Sequence, residues 1–127
     1  MKISFDFDGT LEFKEVQNYA KSLINRGYHV CILTTRFSDP SNYNFDATED
    51  FRYMYKVAHD LEISEIYFTE YEDKYLHIDK YDIDLHLDDN YRDEVYVINK
   101  CCKARAVLYQ PGWKNEFENA IEIIEDK

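Results

Sequence analysis

Two aspartates two positions apart, Asp6 and Asp8, stand in IleSerPheAspPheAspGlyThrLeu, residues 3 to 11, interleaved with Phe5, Phe7 and Leu11. On a strand, side chains alternate between faces, so the two carboxylates would share one side. Like charges held so close repel, and a shared proton, a cation or plain solvent must answer the repulsion. A second acidic pair, Asp88 and Asp89, ends LeuHisLeuAspAsp, 85 to 89. Thr34, Thr35 and Arg36 close IleLeuThrThrArg, 32 to 36, and Lys74 sits in TyrGluAspLysTyrLeu, 71 to 76. These residue types suit phosphoryl transfer, which needs a nucleophile, a proton donor for the leaving oxygen, and positive charge around the equatorial oxygens. Asp6 can attack phosphorus, Asp8 can carry the proton, Thr34 can donate its hydroxyl, and Lys74 can neutralise developing charge. Gly9 and Thr10 let the chain turn sharply with backbone N–H groups facing an anion.

Elements that alternate along the chain must position these groups. HisValCysIleLeuThr, 29 to 34, is a nearly continuous apolar run rich in β-branched residues, as a strand buried on both faces requires. GluIleTyrPheThr, 65 to 69, and AlaArgAlaValLeuTyr, 104 to 109, read as strands, the latter stopped by Pro111 and Gly112. IleAspLeuHisLeuAsp, 83 to 88, alternates and is expected to carry one less buried face. Apolar residues at helical spacing mark 14 to 26, with Gly27 as its C-cap, 48 to 61, started by Asp46 or Thr48, and 114 to 125. Shorter helices are predicted over 72 to 80 and 91 to 100. Strands alternating with helices imply parallel pairing, in an α/β sheet of about five strands covered on both faces. Such sheets bind ligands outside the carboxyl ends of their strands, where Asp6, Asp8, Thr34, Thr35, Arg36, Asp88 and Asp89 would converge, with Lys74 from the segment between the third and fourth strands.

The 127 residues make one domain of ordinary size, and 45% apolar and 17% aromatic residues argue for a folded core. The formal charge of −11 disfavours binding to long nucleic acid, since affinity for a polyanion comes mainly from Lys and Arg. A small phosphorylated ligand remains compatible. No apolar run has the length of a membrane span or a signal-peptide core, which predicts a cytoplasmic protein away from membranes. Cys31, Cys101 and Cys102 lack the spaced pairs of a zinc site, and the four scattered histidines are read as structural or exposed. The tyrosines and phenylalanines are read as packing residues.

The motifs resemble those of the haloacid dehalogenase superfamily of aspartate-dependent phosphotransferases. AspPheAspGlyThrLeu, 6 to 11, fits the first motif in full; Thr34 is similar to the second, Lys74 to the third with Lys80 as the alternative, and Asp88 with Asp89 to the fourth. The resemblance runs from residue 3 to roughly 109. It implies a three-layer α/β/α Rossmann-like fold and a phosphomonoesterase that passes through an aspartyl-phosphate on Asp6. It also implies a Mg²⁺ ion held by the Asp6 carboxylate, the Asp8 carbonyl and the Asp88/Asp89 pair. Asp89 is favoured for direct contact, with Asp88 acting through water or by orienting the site, and Asp93 a candidate further out.

Family members usually carry a cap domain that sets substrate choice. Here only Glu12 and Phe13 separate the first motif from the first helix, and the 36 to 47 loop is too short to fold as a cap. The chain therefore looks capless, a form that acts on exposed phosphates or borrows a neighbouring copy as a lid. That loop is the candidate for substrate contact, with Arg36 able to grip a second phosphate or carboxylate. The other reading is a catalytically silent domain that binds metal or phosphate and regulates a partner; both Asp6 and Asp8 being intact weighs against it.

Overall fold

A computed structural model describes residues 1 to 126 of the chain. Five strands, β1 (Lys2–Phe5), β2 (His29–Thr34), β3 (Ile66–Phe68), β4 (Leu85–Asp88) and β5 (Arg105–Leu108), form one sheet in the order β3-β2-β1-β4-β5. Every pairing is parallel, as strands separated by helical crossovers require. Four helices, α1 (Lys14–Asn25), α2 (Thr48–Leu61), α3 (Tyr96–Cys101) and α4 (Trp113–Glu125), lie against it, which makes the architecture α/β and Rossmann-like.

The two faces of the sheet are covered unequally. Ile3, Phe5, Val30, Ile32, Leu85, Leu87 and Val107 point to the face packed by the apolar stripes of α1, α2 and α4, such as Val16, Met54 and Phe117. Cys31, Leu33 and Ala106 point to the other, where Val95, Ile98, Ile78 and Ile83 form a smaller core. Burying a side chain of this size contributes roughly 1.5–3 kcal/mol, so the larger cluster carries most of the apolar stabilisation. Gly27 ends α1 with φ 91°, its N–H donating to Ile24 O at 2.9 Å, and the Asp46 side chain accepts from Thr48 N at 3.0 Å at the start of α2.

The segment 72 to 80, expected as a helix, is instead two short 3₁₀ turns, Lys74–Leu76 and Asp79–Tyr81. Only Lys74 and Ile78 are buried in it, while Leu76 is 55% exposed, so no apolar stripe is available to hold a longer helix against the sheet. The expected helix at 91 to 100 is present as a wide turn, Tyr91–Val95, that runs into α3. Between β2 and α2 the chain forms a loop containing one 3₁₀ turn, Pro40–Asn42. Among the described residues, no helix is long and apolar enough to cross a membrane.

Candidate active site

β1 lies between β2 and β4, and the chain leaves β1 toward β2 but leaves β4 toward β5 on the other side. The carboxyl ends of β1 and β4 therefore flank the point where strand order reverses, the usual place for a ligand in an open α/β sheet. Asp6 follows β1 and Asp88 ends β4. Beyond Asp6 the backbone kinks: Asp8 is extended (φ −68°, ψ 121°) and Gly9 is left-handed (φ 80°). A Cβ on Gly9 would lie 2.2 Å from Asp89 Oδ2, so glycine is required here both for conformation and for space.

The picture of Asp6 and Asp8 on one strand face does not hold, because β1 stops at Phe5. Asp6 is 6% exposed and accepts from Lys74 Nζ at 2.7 Å on Oδ1 and from Thr10 Oγ1 at 3.2 Å on Oδ2. Asp8 turns the other way, into a fork in which Arg36 Nε and Nη2 donate to its two oxygens at 2.8 and 2.6 Å. The Arg36 guanidinium also lies over the Phe7 and Phe51 rings, 5.3 and 5.1 Å from their centroids.

Lys74 is the hub of the cavity. It is 2% exposed, and its ammonium reaches Asp6, Asp88 Oδ2 at 2.5 Å and Glu94 Oε2 at 3.5 Å. Burial works against that charge, yet Asp6, Asp88 and Glu94 outweigh it and raise the lysine above its ordinary range. Lys80, the alternative lysine, lies over the Tyr81 ring on the surface, 4.9 Å from its centroid, away from this cluster.

Asp88 has both oxygens engaged. Asn90 N donates to Oδ1 at 3.0 Å, and Lys74 and His86 Nε2 meet Oδ2, the latter at 2.8 Å. Burial favours its neutral form, but Lys74 and His86 together hold it well below the usual carboxylate range. His86 is fully buried, and burial keeps it neutral. With Asp88 ionised and able only to accept, His86 carries its proton on Nε2, and Ser4 Oγ donates to Nδ1 across 2.6 Å.

A cavity of about 210 Å³ opens between these groups, lined by seven carboxylates, those of Asp6, Asp8, Asp73, Asp88, Asp89, Asp93 and Glu94, against the single ammonium of Lys74. The crowding registers in two of them. Burial pushes the Asp6 carboxyl well above its ordinary range, with Lys74 opposing and Asp88 adding. Burial likewise pushes Glu94 up to about 7. Asp6, Asp88 and Asp89 can each bring one oxygen within 4.8 Å of the others, a hard-oxygen donor set of the kind that suits a small divalent cation. The residues thus fit a metal ion, whose charge would also return Asp6 to its ionised form.

The sequence-predicted residues divide accordingly. Asp6, Lys74, Asp88 and Asp89 come together, while the Asp8 side chain and Arg36 stand at the cavity's edge as a pair. Of the adjacent threonines, Thr35 lines the cavity; Thr34 is buried, and its hydroxyl accepts from Arg36 N at 3.2 Å. Thr10 serves Asp6, and Gly9 N donates to Glu12 Oε1 at 2.5 Å. Sequence reasoning missed Glu94, His86 and Ser4. Asp93, expected further out, is exposed on the cavity wall, and its N–H caps back to Asn90 Oδ1 at 3.1 Å.

No family model and no curated protein matches the chain. Among solved structures it is similar to a hypothetical protein from Xanthomonas campestris, with 18% identity and a TM-score of 0.50, covering 91% of this chain and 68% of that one. At that identity the likeness speaks to the fold alone.

Proposed function

We propose that the chain is a magnesium-dependent phosphomonoester phosphatase, a capless protein of the haloacid dehalogenase type, with Asp6 as nucleophile. The observation that carries the reading is the buried Lys74 ammonium bridging Asp6 and Asp88 at the strand-order reversal, beside the open carboxylate of Asp89. A lone structural ion pair would not need a third and fourth carboxylate, and burying so many charges costs several kcal/mol per ion unless they are compensated.

An oxygen of Asp6 attacks phosphorus, the bond to the leaving oxygen breaks, and Asp8 supplies the proton that oxygen takes up. Water then attacks the aspartyl-phosphate, gives its proton to Asp8, and releases inorganic phosphate and the Asp6 carboxylate. Asp6, Asp89 and the Asp8 carbonyl would hold Mg²⁺, whose charge would screen the phosphate from the carboxylates around it. Lys74 fixes Asp6 and offsets its charge, Thr35 offers a hydroxyl to the phosphate, and Asp88 holds Lys74 in place. Asp8 performs its part once the Arg36 fork is exchanged for the leaving oxygen.

Hydrolysis of para-nitrophenyl phosphate with and without Mg²⁺, in the wild type and in Asp6→Asn, tests the reading. Metal-dependent turnover that Asp6→Asn abolishes is the expected result; equal inactivity of both across a series of divalent metals would reject it. The second reading, a catalytically silent metal- or phosphate-binding domain, draws on the Arg36 fork, which ties down both oxygens of the proton carrier. It predicts that Mg²⁺ binds without turnover in either protein.

A further inference from the structure

A second cavity, of about 270 Å³, adjoins the first and shares Asp8 with it. Its walls are the rings of Tyr43, Phe45, Phe51 and Tyr71, with Arg36 beside Asp8. Tyr43 is central, with ring centroids 5.3 Å from Phe45, 6.0 Å from Phe51 and 5.9 Å from Tyr71. Phe45 and Tyr71 are 57% and 59% exposed, so two large rings are held at a mouth rather than in a core. The backbone is constrained to do this. Glu70 and Tyr71 both adopt left-handed φ, 54° and 64°, a conformation that costs of order 1 kcal/mol or more for each non-glycine residue. Tyr71 N donates to Thr35 O at 2.7 Å, and Ser38 N donates to the Glu70 carboxylate at 3.0 Å. These contacts lock the loop after β2 to the turn after β3.

The shared residue is the one that must meet the leaving oxygen. With the phosphate at Asp6, the part of the substrate beyond that oxygen has this aromatic cavity next to it. Flat walls select flat ligands, because offset stacking and edge contacts need a planar partner. A cavity of roughly 150 Å³ suffices for benzene, so 270 Å³ accepts a ring of one or two cycles. Asp50 on the same wall offers acceptors to ring N–H groups.

We infer that the substrate is a phosphomonoester whose leaving group carries a planar aromatic ring, seated among Tyr43, Phe45 and Tyr71 while Asp8 faces the bridging oxygen. The inference rests on the phosphatase reading and names its substrate class. The ring can be attached through a sugar, as in a nucleoside monophosphate, or close to the oxygen, as in an arylalkyl phosphate.

Isothermal titration of Asp6→Asn with Mg²⁺ present compares two pairs of ligands: AMP against ribose 5-phosphate, and benzyl phosphate against ethyl phosphate. Within a pair the phosphate is the same, and the ring is what differs. The expected result is about tenfold tighter binding of the ring-bearing member in at least one pair, reduced below threefold by adding Phe45→Ala; the pair that responds identifies how the ring is attached. The ratio of KM values on the wild type should follow. Equal affinities within both pairs, a ratio that Phe45→Ala leaves intact, or no binding at millimolar ligand would overturn the inference. Turnover without ring preference sinks this inference alone, whereas ring-selective binding without wild-type turnover sinks the phosphatase reading and leaves a ligand pocket.

Discussion

Lys74 and Arg36 each pair with one aspartate of the Asp6-Phe7-Asp8 stretch, yet they do so in opposite settings. The lysine is sealed in, with three carboxylates around one ammonium and partners that are themselves buried. Asp8, by contrast, keeps 58% of its side chain exposed in the Arg36 fork. A point charge with rotatable donors suits a hub that must satisfy several oxygens, and a planar fork suits one carboxylate held bidentately. The first arrangement concentrates charge and leaves a demand for more cation. The second is neutral in itself and has its carboxylate in solvent, although the Arg36 guanidinium is buried and keeps only the Asp50 carbonyl when the fork opens.

Substituting the hub should therefore have the largest effect. Lys74→Met leaves Asp6, Asp88 and Glu94 in a buried site without their shared counterion, and breaking such a set by one partner costs about 3–5 kcal/mol. Activity toward any phosphomonoester should fall a hundredfold or more, as for loss of one oriented cation or donor at the reacting group. Lys80→Met should be near neutral in both respects. Comparable losses at the two positions, read by urea denaturation and by phosphate release, would remove the contrast between a sealed hub and the surface.

A smaller effect is expected from the hub's third carboxylate, and it depends on pH. Burial, with Asp88 adding and Lys74 opposing, places Glu94 at about 7 against an ordinary 4.5. The folded state thus holds this proton more tightly than the unfolded chain does. The resulting stability is complete below pH 4.5 and is lost as pH climbs through 7, by roughly 3 kcal/mol at about 1.4 per pH unit. Glu94→Gln keeps an oxygen for Lys74 N and removes the titration. With a metal chelator present, its stability relative to the wild type should improve steadily from pH 5 to pH 8. Parallel curves would mean that another group, Asp6 first among them, owns this limb.

What could be read from the sequence follows the same division between local and long-range determinants. The strand and helix periods, the Gly27 stop and the acidic groups at strand ends are local, and they placed Asp6, Asp88 and Asp89 on one edge. Lys74 was legible through the resemblance to the family's third motif, with Lys80 as the alternative, although the helix expected around it is two 3₁₀ turns. His86 was not legible. Alternation in residues 83 to 88 put it on the face expected to be less buried, but Ser4 is its register partner on β1, and the small serine makes room for a fully enclosed imidazole. Glu94 carries no sequence signal of its own, and only the turn at Tyr91–Val95 brings it to Lys74. The Arg36 fork joins residues 28 apart, and only the adjacency of β1 and β2 brings them together.

The smallest effect belongs to the fork, and its response to salt separates it from the hub. Arg36→Met retains an unbranched chain between Phe7 and Phe51 while deleting the pair with Asp8. Because Asp8 is mostly exposed, the loss should be about 1 kcal/mol, within the range of solvent-accessible ion pairs. At 1 M salt the screening length falls to about 3 Å, so the difference between Arg36→Met and wild type should shrink toward the packing contribution alone. The deficit of Lys74→Met should persist, because the charges it leaves behind on Asp6, Asp88 and Glu94 are buried, and buried pairs are screened far less by bulk salt than exposed ones. Denaturation curves for both variants at 0.1 and 1 M NaCl make the comparison. If the Arg36→Met deficit proves as large and as salt-resistant as that of Lys74→Met, Asp8 is fixed in place by a structural pair. The leaving oxygen would then need another proton donor.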